Sequence, residues 1–170
     1  KGINELIKAF FDFQSKNKSC KLLLVGDYEA DLDPLEYETI KVIENNANII
    51  SVGYQKDVRP YFAISNCLVF PSYREGFPNV VMQAGAMGLP SVVTNINGCN
   101  EIIEHNKNGI IIPEKRITEG WIYEWLKRAF NSDFSNGKTA NTTQKTKNNK
   151  IIDGLGLIRC LRNMVFYKNS

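Results

Sequence analysis

The sequence predicts an α/β fold in which helices cover both faces of a parallel sheet. Three observations carry this expectation. Short apolar runs alternate with segments of helical spacing almost without interruption. Several runs, such as Lys21-Leu-Leu-Leu-Val25 and Cys67-Leu-Val-Phe70, are continuously apolar instead of alternating, as strands are when crossover helices bury both of their faces. The most informative stretch, residues 72–90, follows directly on one such strand, and sheets of this kind bind ligands beyond the carboxyl ends of their strands.

The elements follow in order. Ile3, Leu6, Ile7 and Phe10 recur at helical spacing, so residues 2–15 read as an amphipathic helix. Lys21–Val25 is a buried strand closed by Gly26-Asp27. Asp33-Pro34 suits the cap and first position of a helix carrying Ile40 and Ile43. Residues 49–52 form the next strand, ended by Gly53, and a short helix near residues 58–64 precedes the strand 67–70. A helix over 78–88 starts at Pro78, where the missing N–H costs nothing, and stops at Gly88. Strand 90–94, a short helix near 100–105, strand 109–112 and a helix over 118–130 complete one domain, residues 1–131. Residues 132–150 are a polar, Lys-rich linker: from 134 on only Phe134 and Ala140 are apolar, and there is no acid. The segment 151–170 turns apolar again and reads as an amphipathic helix over 151–167, weakened by Gly154 and Gly156.

A chain of 170 residues, 43% hydrophobic and 23% charged, has the size and composition of one soluble globular domain. Its net charge of +3 is too small to argue for nucleic acid or an anionic membrane without a patch. No signal peptide opens the chain, and no apolar run approaches a membrane span. Cys20, Cys67, Cys99 and Cys160 are widely spaced, which favours buried reduced thiols and a cytoplasmic setting.

Function concentrates in Ser72-Tyr-Arg-Glu75-Gly-Phe-Pro78-Asn-Val80, which joins the strand 67–70 to the next helix. The first turn of that helix carries unpaired N–H groups and the positive end of the dipole, a setting for phosphate. Glu75 adds a carboxylate in the loop, and Gln83 lies one turn further along the helix.

With Glu75-Gly-Phe-Pro-x-x-x-x-Gln83-Ala, Gly88-Leu-Pro-Ser-Val-Val-Thr and Gly98-Cys-Asn-Glu101-Ile-Ile in place, the chain resembles retaining GT-B glycosyltransferases of family four, the glycosyl transferases group 1. Lys1-Gly2 before the first helix, Leu24-Val-Gly-Asp27, Gly53-Tyr with Asp57, Phe70-Pro-Ser72 and Asn108-Gly-Ile-Ile-Ile-Pro113 extend the likeness over residues 1–131. The resemblance implies a Rossmann-like domain, the C-terminal, donor-binding half of the GT-B fold. It implies that Glu75 holds hydroxyls of the donor sugar. The backbone around Gly76, Phe77, Pro78, Asn79 and Val80 would meet sugar and diphosphate, and Lys1 would contact the diphosphate. No cofactor or metal is implied; the donor is a nucleotide-diphosphate sugar, UDP-linked rather than GDP-linked.

The chain departs from the family in three places. Gln83 stands where the family has a second glutamate that accepts hydrogen bonds from the ribose diol, a loss of about 1–2 kcal/mol in charge-assisted bonding. The family's first strand, which the resemblance places centrally in the sheet, would precede Lys1 and is lacking, as is the acceptor-binding half. The family's last helices are not recognisable after Asn131.

Each candidate has a plainer reading. Glu75 reads also as a solvated loop carboxylate, Gln83 as a solvent-facing helix residue, and Lys1 as a disordered terminus. Asp31-Leu-Asp33 matches a metal-binding D-x-D, but its place before Pro34 makes it a helix cap. His105, in a polar turn, reads as exposed, and Gly85 and Gly88 as packing positions. The expected function is donor binding in a bacterial glycosyltransferase of polysaccharide biosynthesis, inactive without its acceptor half, cytoplasmic, with peripheral contact at the inner membrane face in the full-length enzyme. The alternative is a truncated or vestigial nucleotide-sugar-binding module without activity. A nucleotide-sugar epimerase would need acid–base residues that are not found near Glu75.

Overall fold

The computed structural model describes residues 2–27, 34–113, 119–131 and 163–167. Helices and strands alternate from α1 (Ile3–Lys16) through β1 (Lys21–Val25), α2 (Tyr37–Asn45), β2 (Ile49–Ser51), α3 (Arg59–Ala63), β3 (Cys67–Phe70), α4 (Asn79–Ala86), β4 (Ser91–Thr94), α5 (Cys99–Ile102), β5 (Gly109–Ile112) and α6 (Glu119–Asn131) to β6 (Asn163–Tyr167). All six strands join one sheet in the order β2-β1-β6-β3-β4-β5. Every pairing is parallel. The expectation of a parallel sheet holds.

Successive strand residues face opposite sides, and each side has its own core. Leu22 and Leu24, with Val69, Val92 and Ile110, pack against Leu6, Ile7, Phe10 and Phe13 of α1 and Ile122 and Leu126 of α6. Leu23 and Val25, with Leu68, Phe70 and Val93, pack against Phe62 of α3, Val80, Val81 and Ala84 of α4, and Cys99 of α5. Burial on both faces explains why these strands read as unbroken apolar runs. Phe10 and Phe13 are 0% and 1% exposed, so Ile3, Leu6, Ile7 and Phe10 do mark the inner face of α1. Phe13 also meets Tyr123 of α6 edge-on, with ring centroids 6.1 Å apart.

Three expectations need correction. The helix predicted from Asp33-Pro34 begins at Tyr37, with Glu36 as its cap, and Asp31 and Asp33 lie outside the described residues. Pro78 is the cap of α4 and not its first residue. The largest correction concerns the C-terminal segment. Residues 163–167 were expected to be helical and form a strand, and the central place expected to lack a strand is the one they take. Val165 pairs with Leu23 on one side and Leu68 on the other, so the sheet is continuous and residues 1–131 do not complete it alone. The linker 132–150 lies outside the described residues.

From this centre the strand order runs outward through β1 and β2 on one side and β3, β4 and β5 on the other. Such a reversal opens a crevice at the carboxyl edge of the sheet, where doubly wound folds take their ligands. The loop after β3 leaves from that edge.

Candidate functional site

The site is built on the loop 71–78, between β3 and α4. Two close backbone approaches fix it. Gly2, in front of α1, has φ +70°, and a Cβ there would stand 1.9 Å from the Pro71 carbonyl oxygen. Gly98, in front of α5, has φ +78°, and a Cβ there would stand 2.4 Å from the Gly76 oxygen and 2.8 Å from Pro78 Cδ. Both positions combine a left-handed conformation with contact that no side chain permits. The residues in front of α1 and α5 thus both lie against the loop that leads into α4.

Within the loop, Ser72 is 2% exposed. Its hydroxyl donates to Glu75 Oε1 at 2.8 Å, with the Arg74 carbonyl oxygen a second acceptor at 3.2 Å. Glu75 itself is half-buried. The Cys99 thiol lies close by; burial first, and then the Glu75 charge, push its pKa up to about 12, so it stays a neutral thiol. Tyr73 donates to the Glu5 carboxylate of α1, a second tie between loop and helix. At the start of α4 the Val81 N–H turns to the Pro78 carbonyl at 3.0 Å; the groups ahead of it are those a helix leaves without intrahelical partners.

The structure brings Glu75, Gly76, Phe77, Pro78, Asn79 and Val80 into one turn-and-helix unit. Phe77 is 52% exposed, whereas Val80 is buried in the core, so Val80 offers a ligand its backbone alone. Gln83 lies exposed on α4, one turn beyond Asn79. Lys1 lies outside the described residues, and its neighbour Gly2 is the residue set against Pro71. Glu101 accepts from the Gly98 N–H at 3.3 Å and so steadies the start of α5. His105 is exposed and has a structural partner: its Nδ1 accepts from the Ile111 N–H at 3.0 Å. Among the described residues, no three or more His, Cys, Asp and Glu side chains gather to hold a metal ion. An open groove of about 380 Å³ between α1 and α2, bordered by Phe11, Gln14 and Lys41, shares no residue with the loop.

Ser72 and the two glycine clasps carry no role in the sequence reading. A serine three residues before a loop carboxylate is a recognisable local pattern. The clasp glycines stand in the motifs Lys1-Gly2 and Gly98-Cys-Asn-Glu101, but what they touch joins segments far apart in the chain and is not written there.

Residues 1–126 match the family model described as Glycosyl transferases group 1. The chain belongs to this family. This glycosyltransferase-family chain is 31% identical over 112 residues to the capsular polysaccharide biosynthesis glycosyltransferase CapM of Staphylococcus aureus, covering 66% of itself and 29% of CapM. It is 26% identical over 137 residues to the UDP-Gal:alpha-D-GlcNAc-diphosphoundecaprenol alpha-1,3-galactosyltransferase of Escherichia coli, covering 81% of itself and 33% of that protein. It therefore spans about a third of the length of the curated relatives it matches. Among solved structures, Anabaena HepE in complex with UDP and glucose aligns with TM-score 0.63 at 20% identity over 88% of this chain and 44% of HepE. WaaG, a glycosyltransferase involved in lipopolysaccharide biosynthesis, aligns with TM-score 0.55 at 17% identity over 85% of this chain and 50% of WaaG. The fold is that of one Rossmann-like half of a GT-B glycosyltransferase. No helix among the described residues is long and apolar enough to cross a membrane.

Proposed function

We propose that this chain is the donor-binding half of a retaining glycosyltransferase that takes a nucleotide-diphosphate sugar, UDP-linked, in bacterial polysaccharide biosynthesis. One observation carries the reading: at the crevice of the sheet, the half-buried Glu75 carboxylate is held by the buried Ser72 hydroxyl beside the start of α4. A carboxylate fixed in this way accepts hydrogen bonds from sugar hydroxyls, which are neutral donors of matching geometry. The start of α4 and the backbone of Gly76, Phe77, Pro78, Asn79 and Val80 face the diphosphate. Breaking the sugar–phosphate bond places negative charge on the leaving diphosphate, and preorganised N–H groups together with the Lys1 ammonium stabilise it. Gln83 accepts from the ribose with one amide oxygen. The names of relatives support the pathway: CapM acts in capsular polysaccharide biosynthesis, and the HepE structure holds UDP and glucose. In the whole enzyme a second half would bind the acceptor, and a lipid-linked acceptor would hold that enzyme at the inner membrane face.

Calorimetry on the 170-residue chain with UDP, GDP, UDP-glucose and GDP-mannose tests this. Binding of a uridine ligand and no transfer of its sugar to an acceptor are expected. Silence with every ligand would overturn the reading in favour of a vestigial module, and turnover by the chain alone would overturn the need for a second half.

A further inference from the structure

Ser72 is almost wholly buried, yet its hydroxyl points at the one carboxylate of the loop and not into the core. A buried hydroxyl needs a partner, and the Arg74 carbonyl at 3.2 Å already offers one. The shorter bond, at 2.8 Å, nevertheless goes to Glu75 Oε1. A hydroxyl has one proton to donate, and a charged acceptor draws it more strongly than a carbonyl.

We infer that Ser72 is a positioning residue: by holding Oε1 it fixes the Glu75 carboxylate so that Oε2 and the remaining lone pairs present themselves to the donor sugar. This rests on the sugar-binding role proposed for Glu75. Without the bond, Glu75 is a loop side chain with several rotamers, and each sugar contact must first order it. The backbone that meets the diphosphate is fixed separately, by Gly2, Gly98 and the Pro78 carbonyl bond to Val81. Ser72 therefore acts on the sugar and not on the nucleotide. The alternative acceptor makes a double-mutant cycle clean. When Glu75 is removed, the Ser72 hydroxyl turns to Arg74 and no buried donor is orphaned.

Dissociation constants for UDP and UDP-glucose are measured by calorimetry on the 170-residue chain and its variants. Ser72→Ala is expected to leave UDP binding within twofold and to weaken UDP-glucose binding about tenfold, the scale of one lost hydrogen bond to a charged group. In the Glu75→Ala background, Ser72→Ala is expected to change neither constant. Equal weakening of UDP and UDP-glucose by Ser72→Ala would show a structural role and overturn the inference. So would the same sugar-specific loss in both backgrounds, because Ser72 would then act without Glu75. Should Ser72→Ala fail to fold, the near-isosteric Ser72→Cys, a far weaker donor, carries the same comparison. Sugar discrimination kept in wild type and lost in neither variant overturns the inference and leaves the proposed function standing. Wild type that binds UDP with no preference that Glu75→Ala alters removes the role of Glu75, and the inference with it.

Discussion

Gly98 concentrates the local constraints of the site in one residue. Its φ of +78° lies where an L side chain costs about 1–2 kcal/mol. A Cβ there would also meet the Gly76 oxygen, Pro78 Cδ and Phe77 Cα, at 2.4, 2.8 and 3.0 Å. The backbone that would have to yield is the part of the loop proposed to meet the diphosphate. Gly98→Ala is therefore expected to destabilise the protein by about 2–4 kcal/mol, from left-handed strain plus overpacking. It should also weaken UDP binding, which Ser72→Ala leaves unchanged. Chemical denaturation and calorimetry on the same variant check both parts; an unaltered UDP constant would show that α5 does not shape the loop.

Among the elements, β6 decides whether there is one sheet or two. Without it, β1 and β3 would each present an unpaired edge in the middle of the molecule, and buried backbone groups cannot be left so. Its five residues pair with Lys21–Val25 on one flank, and Met164 and Val165 pair with Cys67 and Leu68 on the other. A proline in such a strand removes a ladder donor where no water replaces it, which is why prolines keep to sheet edges. Val165→Pro is expected to abolish cooperative unfolding near room temperature, followed by circular dichroism on heating. Survival of a sharp transition close to that of wild type would mean that the sheet does not depend on this strand. The short helices behave differently. At the start of α3, Arg59 meets Asp57, two residues ahead of the helix, at 2.8 Å on the surface, and such exposed pairs contribute little.

At the scale of the whole molecule, two apolar layers on either side of one sheet make stability a shared property, and buried thiols tie it to pH. Cys67 is buried in β3; desolvation, and then the neighbouring Cys20, push its pKa from the usual 9.0 up to about 12. The folded chain keeps this proton at pH values where the unfolded chain releases it. The stabilisation is therefore full below about pH 9 and is lost as pH rises toward about 12. The urea midpoint is expected to fall across that window, and to fall less steeply in Cys67→Ala. Identical slopes in the two proteins would remove the thiol from the account. The same layering places the loop 71–78, the proposed donor site, at the carboxyl edge of the sheet.

Helical spacing in Ile3, Leu6, Ile7 and Phe10, continuous apolar runs at residues 21–25 and 67–70, and the Glu75–Gln83 motif were legible in one dimension, because periodicity and helix starts depend on near neighbours. Helix α2 shows the limit of such signals: Asp33-Pro34 is a sound cap pattern, yet the helix begins at Tyr37. Residues 163–167 show a deeper one. A short apolar segment after two glycines fits a helix or a strand equally well by pattern. The choice falls to the open edges of β1 and β3, which accept a strand between them and reject a helix. Ser72 belongs to the same class. Its type and spacing are written in the chain, but that its hydroxyl is buried and aimed at Glu75 follows from Gly2 and Gly98 closing on the loop. Local chemistry set the elements and the motif; contacts between distant segments set the strand order and the geometry of the site, because hydrogen-bond partners and burial exist only once those segments meet.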